Sequence, residues 1–183
     1  MRVESLKAQL LIANGNLFDP NFRQAVILVA EHGESGAMGI VLNRPSGAML
    51  DDVAPPLASA FISGEELFLG GPVERDAAII LADFEDAELA GKLVLGTIGF
   101  VSGDADLDTV ASGLRRMRVF AGHAGWGPGQ LEAELKAESW IVETPSPDDL
   151  FTERPEELWR TLLLRRGGEY ALMASMPFDP STN

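Results

Sequence analysis

Short apolar runs, separated by glycine, proline and polar turns, recur along the chain. The first three, 9-QLLIA-13, 25-AVILVAE-31 and 37-AMGIVLNR-44, predict β-strands, because they are rich in aliphatic residues and too short for helices. The glycine-containing segment 32-HGESG-36 predicts a β-hairpin between the second and third runs. We expect Pro45 to end the third strand, because proline has no N–H group for a strand ladder.

The middle of the chain continues this pattern less regularly. Further strands are predicted at 67-LFLGGPV-73, at 77-AAIILA-82, within 92-KLVLGTIGFVSGD-104 and at 117-MRVFAG-122. Apolar residues at helical spacing predict a helix over 107–116. The acidic stretch 83-DFEDAE-88 is interpreted as solvated surface.

The last third of the chain alternates helical and strand patterns. After the glycine-rich stretch 122-GHAGWGPGQLEAEL-135, a helix is predicted from Pro128, a strand at 140-WIVE-143 and a helix over 156–166. The whole pattern favours an α+β (mixed α/β) fold, with a mixed, barrel-like β-sheet core flanked by helices. We expect one domain over 1–176 and a frayed tail over 177–183.

Composition narrows the possible functions. The 183 residues include no cysteine, which excludes disulfides, thiolate metal sites and a cysteine nucleophile. The net charge of −14 repels phosphate backbones, so direct nucleic-acid binding is disfavoured. The basic clusters 115-RRMR-118 and Arg165–Arg166 are interpreted as solvated helix ends. With no membrane-spanning run and no signal-peptide pattern, a cytoplasmic protein is the simplest expectation.

Two interpretations of the glycine-rich stretch remain open, with the second favoured. Backbone amides ahead of Gln130 could bind a small anion at a helix start, with Trp126 as a wall and Gln130 or His123 orienting the anion. Alternatively, the glycines form a strand-to-helix elbow that lets Trp126 pack inward. The stretch matches neither a Walker A loop nor a dinucleotide-binding fingerprint.

Few residues suggest catalysis. A metal-assisted hydrolase could use both histidines, His32 and His123, with a carboxylate such as Asp19 or Glu31. However, no metal-ligand spacing is present, and no Gly-x-Ser-x-Gly elbow indicates a serine hydrolase. We therefore expect no metal and no cofactor, and lean against an enzyme. Arg44 could clamp an anion, although pairing with one of the many carboxylates is favoured.

An ordered set of short stretches resembles one bacterial family of unsettled function, the YqgE/AlgH-type proteins. The stretches are 9-QLLIAN-14, 18-FDPNF-22, 31-EH-32, 36-GAMGIVLNRP-45, 70-GGPV-73 and 122-GHAGWGPGQLEAEL-135, followed by Trp140. The resemblance implies a mixed, barrel-like sheet packed by helices. It brings no established catalytic set, and it implies a role in regulating transcription. It supplies no DNA-reading motif.

The leading hypothesis is a non-enzymatic protein that binds a protein partner or a small anionic ligand and affects transcription indirectly. The sequence leaves its oligomeric state open. If the turns converge, the candidate binding surface consists of Glu31, His32, Asn43, Arg44, Gly71, Trp126 and Gln130. Alanine at Arg44 and Trp126 is expected to abolish binding while changing stability by no more than about 1–2 kcal/mol.

Overall fold

A computed structural model describes residues 5–61 and 64–178 of the chain. The chain divides into two compact units, the first formed by Met1–Arg44 with Ala124–Asn183 and the second by Pro45–His123. Of the tail predicted to fray, residues 179–183 lie outside the described part. Pro177 and Phe178 lie inside it, and Phe178 makes specific contacts.

The first unit is built on an antiparallel sheet. Its strands are β1 (Leu10–Ala13), β2 (Val26–Gly33), β3 (Gly36–Val41), the last residues of β9 (Leu114–Trp126) and β10 (Trp140–Glu143), in the order β10–β1–β2–β3–β9. Strand β1 pairs on both sides, with Ile12 opposite Val26 on β2 and Ile141 on β10. All four β1 residues are buried, which explains why this strand is continuously apolar.

Four helices accompany this sheet: α4 (Gln130–Lys136), α5 (Pro147–Leu150), α6 (Leu158–Arg166) and α7 (Glu169–Met173). A short 3-10 turn, Pro155–Glu157, leads into α6. The unit has its own apolar core, in which Leu11, Ile27 and Val29 pack with Trp126 and Trp140. The strands at 9–13, 25–31 and 140–143, the hairpin and the last helix are therefore confirmed.

The second unit contains the remaining strands, β4 (Pro45–Met49), β5 (Glu66–Leu69), β6 (Val73–Phe84), β7 (Lys92–Leu95) and β8 (Ile98–Phe100), together with the first part of β9. Their order is β4–β5–β9–β6–β8–β7, and only β5 and β9 are parallel. Its helices are α1 (Leu50–Val53), α2 (Pro55–Ala60) and α3 (Leu107–Ala111), with a 3-10 turn at Ala87–Leu89. A separate core includes Leu50, Ile80, Phe84, Val110 and Val119.

The mixed α+β class is confirmed at this level. In neither unit do the described strands pair into a closed ring, so the barrel-like closure is not confirmed. None of the helices within 5–61 and 64–178 is long and apolar enough to cross a bilayer.

Strand β9 corrects two predictions at once. The helix predicted over 107–116 ends at Ala111, and β9 then runs without interruption through Gly122 and Gly125 to Trp126. From Met117 to Trp126, buried positions recur largely at every second residue, the period of a strand. The glycines were interpreted as a turn, but Gly122 serves close backbone approach, because a Cβ there would lie 2.6 Å from the carbonyl oxygen of Gly71.

Two further predictions fail for local reasons. The single strand expected within 92–104 is a hairpin, in which β7 and β8 are joined by a tight turn at Gly96, whose φ is +58°. Pro45 does not end the third strand, since β3 already ends at Val41 and Pro45 opens β4. Proline is tolerated at the first position of a strand.

Candidate functional site

An open concavity of about 290 Å³ lies beside the β2–β3 hairpin. Its lining comprises Glu31, His32, Gly33, Ser35, Gly36, Ala37, Met38 and Trp126. The hairpin meets the end of β9 here, with Ala37 opposite Trp126. Gly36 has φ +119°, and a Cβ at this position would collide with the carbonyl oxygen of Trp126. The close approach of the two strands therefore requires glycine.

His32 is held on both ring nitrogens, and only 2% of its side chain is exposed. The backbone N–H of Leu6 donates to Nδ1 at 2.9 Å, and Nε2 lies 2.9 Å from Oε1 of Glu132. Because a backbone N–H can only donate, Nδ1 carries no proton and Nε2 donates to Glu132. His32 is therefore fixed as the Nε2–H tautomer, which is a framework role.

The partner carboxylate of His32 is stabilised as an anion. Hydrogen bonding from its own backbone N–H, and then from His32, lowers the pKa of Glu132 below its ordinary value. Glu132 lies in the first turn of α4. The residue pair therefore ties the hairpin to this helix.

Trp126 is anchored from the same helix. Its indole Nε1 donates to Oε2 of Glu134 at 2.8 Å, and Nε1 of Trp140 donates to the same oxygen at 2.8 Å. Phe22 stacks on Trp126, with the ring centroids 6.4 Å apart. Trp126 is 6% exposed, so its inward packing is confirmed, although Gly122 and Gly125 lie within β9 rather than in an elbow.

Gln130 completes this network rather than opening an anion site. Its side-chain Nε2 donates to Oε1 of Glu134 at 3.0 Å, and its Oε1 accepts the N–H of Gly127 at 3.0 Å. The backbone N–H of Gly127, one of the amides predicted to bind an anion, therefore already donates to Gln130. Sequence reasoning missed Glu134. The available signal was that two tryptophans flank it, and buried indole N–H groups need acceptors.

Asn43 and Arg44 lie at the opposite end of the β2–β3 hairpin. Asn43 is buried, accepts the N–H of Val26 at 2.9 Å and donates to the carbonyl oxygen of Gln24 at 2.8 Å. Arg44 donates to the carbonyl oxygen of Arg23 and lies over the ring of Phe178, 5.4 Å from its centroid. Within the described part of the chain it forms no ion pair, and burial lowers its pKa.

The six predicted residues that lie in the first unit therefore do not form one surface. Glu31, His32 and Trp126 share the concavity, whereas Asn43 and Arg44 follow the other end of β3, roughly 20 Å away at about 3.3 Å per strand residue. Gly71 belongs to the second unit, where it has φ +152°.

The histidines and their carboxylates do not assemble into a ligand set. His123, in the second unit, places Nε2 3.3 Å from Oε2 of Glu74, while His32 faces Glu132. Asp19 accepts the backbone N–H of Asn21 instead. Across residues 5–61 and 64–178, no group of three or more histidine and acidic side chains could hold a metal ion.

Both basic clusters form ion pairs with acidic side chains of the same chain, and of the two only Arg165–Arg166 is an exposed helix end as predicted. Arg115 and Arg116 lie on β9, not at a helix end, and each places a nitrogen 3.3 Å from the Asp83 carboxylate. Asp83 is 9% exposed, whereas Glu85, Asp86 and Glu88 are exposed, so the acidic stretch is solvated surface except at Asp83. At the end of α6, Arg165 and Arg166 pair with Asp149 and Glu143 at 2.9 Å.

Comparison with known proteins identifies the family. A family model described as AlgH-like matches residues 10–171. The chain belongs to the AlgH-like family. UPF0301 proteins of Streptomyces avermitilis and Streptomyces coelicolor are each 42% identical over 189 residues, covering 99% of this chain and 97% of theirs. One from Mycobacteroides abscessus is 41% identical and covers 95% of this chain and 86% of its own.

Two solved structures show the same fold. A protein of Corynebacterium diphtheriae superposes with a TM-score of 0.84 at 25% identity, covering 96% of this chain and 95% of its own. The AlgH protein of Pseudomonas aeruginosa superposes with a TM-score of 0.70 at 32% identity, covering 97% and 98%.

Proposed function

We propose that this chain is a cytoplasmic recognition protein that binds a protein partner in the hairpin concavity and performs no chemistry on it. The observation that carries this proposal is that the concavity is open while its walls are fixed. His32 and Trp126 are each held by a carboxylate of α4. A preformed site of this kind avoids the entropic cost of ordering its side chains on binding.

The lining favours a protein segment over a small anion. Among the described residues that line it, Glu31 is the one carboxylate, and none is a lysine or arginine. Gly33 is exposed, so the backbone is accessible at this point of the hairpin, as peptide recognition requires. Any influence on transcription is exerted through this partner, because the basic clusters are engaged within the protein.

The metal-assisted hydrolase alternative is not supported by any comparable observation. Its two histidines contact different carboxylates, and neither contact involves Asp19.

The experiment places a photo-cross-linking residue at Ser35, which is exposed at the concavity, and at Ser112, which is exposed in the second unit. In cells of the source organism, Ser35 is expected to capture a discrete protein that Ser112 does not. The captured protein is then purified, and its Kd is measured for wild type, Ser35→Arg and the matched control Ser112→Arg.

Ser35→Arg is expected to weaken binding at least about tenfold, a typical effect of blocking an interface centre. Ser112→Arg is expected to bind like wild type. The same capture from both positions, or an unchanged Kd for Ser35→Arg, would overturn the proposal.

A further inference from the structure

The segment that follows α6 is joined to the rest of the fold by a glycine hinge. This C-terminal arm (Glu169–Phe178) comprises α7 and the residues after it, and Gly167–Gly168 connects it to α6. The two glycines have φ of +75° and +58°, and no heavy atom lies within 4 Å of where a Cβ would be. The hinge is therefore unconstrained by packing, and its present turn depends on glycine.

The arm lies on a seat formed by Gly15, Leu17, Phe18, Arg23, Gln24 and Trp159. Met173 and Met176 cover Gly15 so closely that a Cβ there would be 2.9 Å from Cγ of Met173 and 2.8 Å from Sδ of Met176. The seat also holds the arm by its backbone. Gln24 Nε2 donates to the Met176 carbonyl at 3.1 Å, and Arg23 donates to the Phe178 carbonyl at 2.9 Å.

The floor of this seat is fixed independently of the arm. Indole Nε1 of Trp159 donates to the carbonyl oxygen of Ala13 on β1 at 2.8 Å, and Trp159 is buried. Arg44 is fixed by its bond to the carbonyl oxygen of Arg23 and presents its guanidinium to the ring of Phe178. The groove is thus built by residues that precede the arm.

The arm fills its seat loosely. A cavity of about 40 Å³ remains between the arm and Leu17, Phe18 and Trp159. No residue of α7 is buried, Leu172 is 77% exposed, and Met176 and Phe178 are 43% and 54% exposed. Ala174 is the one buried residue among Glu169–Phe178, and Arg166 lies over the ring of Tyr170, 4.8 Å from its centroid. The arm is thus held by a limited set of contacts, most of its residues being exposed or half-buried.

We propose that the seat accepts the C-terminal arm of a second copy of this chain, so that two molecules exchange arms in a symmetric dimer. The arm of a second copy offers the same two methionines, the same backbone carbonyls and the same aromatic ring to the same groove. Such exchange keeps every arm contact, and only the hinge changes conformation. This inference does not depend on the hairpin concavity.

In the monomer, the arm occupies the seat of its own molecule, and the short link gives it an effective concentration on the order of millimolar. This intramolecular contact competes with the arm of a second copy. Wild-type protein is therefore expected to be monomeric at about 10 µM and to dimerise only near millimolar concentration. A substitution that strains the hinge conformation of the monomer shifts the monomer–dimer equilibrium toward the arm-exchanged dimer.

The test uses the full-length double variant Gly167→Ala, Gly168→Ala. Alanine fits the open space at both positions but opposes positive φ, which the exchanged hinge can avoid. Analytical ultracentrifugation of this variant is expected to show dimer association at least about tenfold stronger than wild type. A hinge variant that associates no more strongly than wild type would overturn the proposal.

Blocking the seat distinguishes arm exchange from any other contact. Adding Gly15→Val to the hinge variant, to collide with both methionines, is expected to restore the monomer, whereas the matched change Gly103→Val, in open space, is not. Arg23→Ala is a milder block that leaves the backbone oxygen contacted by Arg44 in place. If Gly15→Val prevents folding, Arg23→Ala decides. Dimers that persist in a folded seat variant would assign association to another surface and overturn the proposal.

Discussion

At the scale of single residues, one carboxylate organises the end of the glycine-rich stretch. Oxygen Oε2 of Glu134 accepts both buried indole N–H groups, and Oε1 accepts the side-chain amide of Gln130. Trp126 is consequently a core residue. Its replacement by alanine is now expected to cost about 3–5 kcal/mol of unfolding free energy, beyond the small surface effect that its sequence context suggested.

Removing the Glu134 acceptor tests this account. Glu134→Leu leaves the N–H groups of Trp126 and Trp140 without their carboxylate, which is expected to cost about 2–4 kcal/mol, because each unsatisfied buried donor costs about 1–3 kcal/mol. Glu134→Gln keeps one acceptor oxygen and is expected to cost less than half as much. Urea unfolding followed by tryptophan fluorescence measures both, and equal losses would contradict the acceptor role.

A second residue-scale prediction concerns acid. Burial alone raises the pKa of the Asp149 carboxyl, but hydrogen bonds from Arg165 and Ser146 outweigh burial and hold the pKa below its ordinary value. With the folded pKa below the unfolded value of about 3.9, ionised Asp149 stabilises the fold above that pH. This contribution is lost as the pH falls from about 4 through the folded pKa.

Asp149→Asn should therefore unfold more easily at pH 7, by about 1–3 kcal/mol, and its stability should fall less steeply than that of wild type below about pH 4. The neighbouring exposed change Asp148→Asn is the control and should behave like wild type. Chemical unfolding at several pH values provides the measurement. Parallel pH profiles for wild type and Asp149→Asn would refute the linkage.

At the scale of elements, the β2–β3 hairpin provides a matched pair of glycines. Gly36→Ala introduces a Cβ against the Trp126 carbonyl at positive φ and is expected to destabilise by about 2–4 kcal/mol. Gly33→Ala adds a methyl group in open space and should cost no more than about 1 kcal/mol. Thermal unfolding compares the two variants. Similar losses would mean that the strand contact is not tight.

The sequence predicted an element correctly where the interactions that form it are close together in the chain. The strands at 9–13 and 25–31 were predictable because buried strands are continuously apolar, and the short hairpin link fixed their neighbour. Of strand β9, only 117–122 was predicted. Its continuation was missed, because Gly122 approaches Gly71 and the Trp126 carbonyl approaches Gly36, both of which are distant in sequence. Glycine alone does not tell a turn from a close approach.

The candidate site was likewise predicted only in the part that depends on the local hairpin. His32 and Trp126 do meet, since the predicted hairpin pairs with β9, but Asn43 and Arg44 belong to its far end. That separation follows from the length of β3. Neither the Glu134 network nor the arm seat had a local signature, because their parts come from segments far apart in the chain.

At the scale of the whole molecule, the charge of −14 is the dominant electrostatic property. Self-repulsion of this kind opposes the compact state and is screened by salt. We expect the Tm at pH 7 to rise by about 2–5 °C between about 10 mM and 300 mM sodium chloride.

The triple variant Glu85→Gln, Glu153→Gln, Glu156→Gln provides the comparison, because all three side chains are exposed and their replacement removes three negative charges. Its melting temperature should rise less with salt than that of wild type, as measured by calorimetry. An identical salt dependence would show that repulsion among exposed carboxylates does not limit stability.

The placement of the two imidazoles offers a practical consequence. His32 lies in one compact unit and His123 in the other, and each ring rests against its own glutamate. Selective ¹⁵N-histidine labelling therefore gives an NMR spectrum with signals from two side chains, one in each compact unit. Each signal reports the unfolding of its own unit. Whether the halves unfold together or in sequence can be observed without altering a single residue.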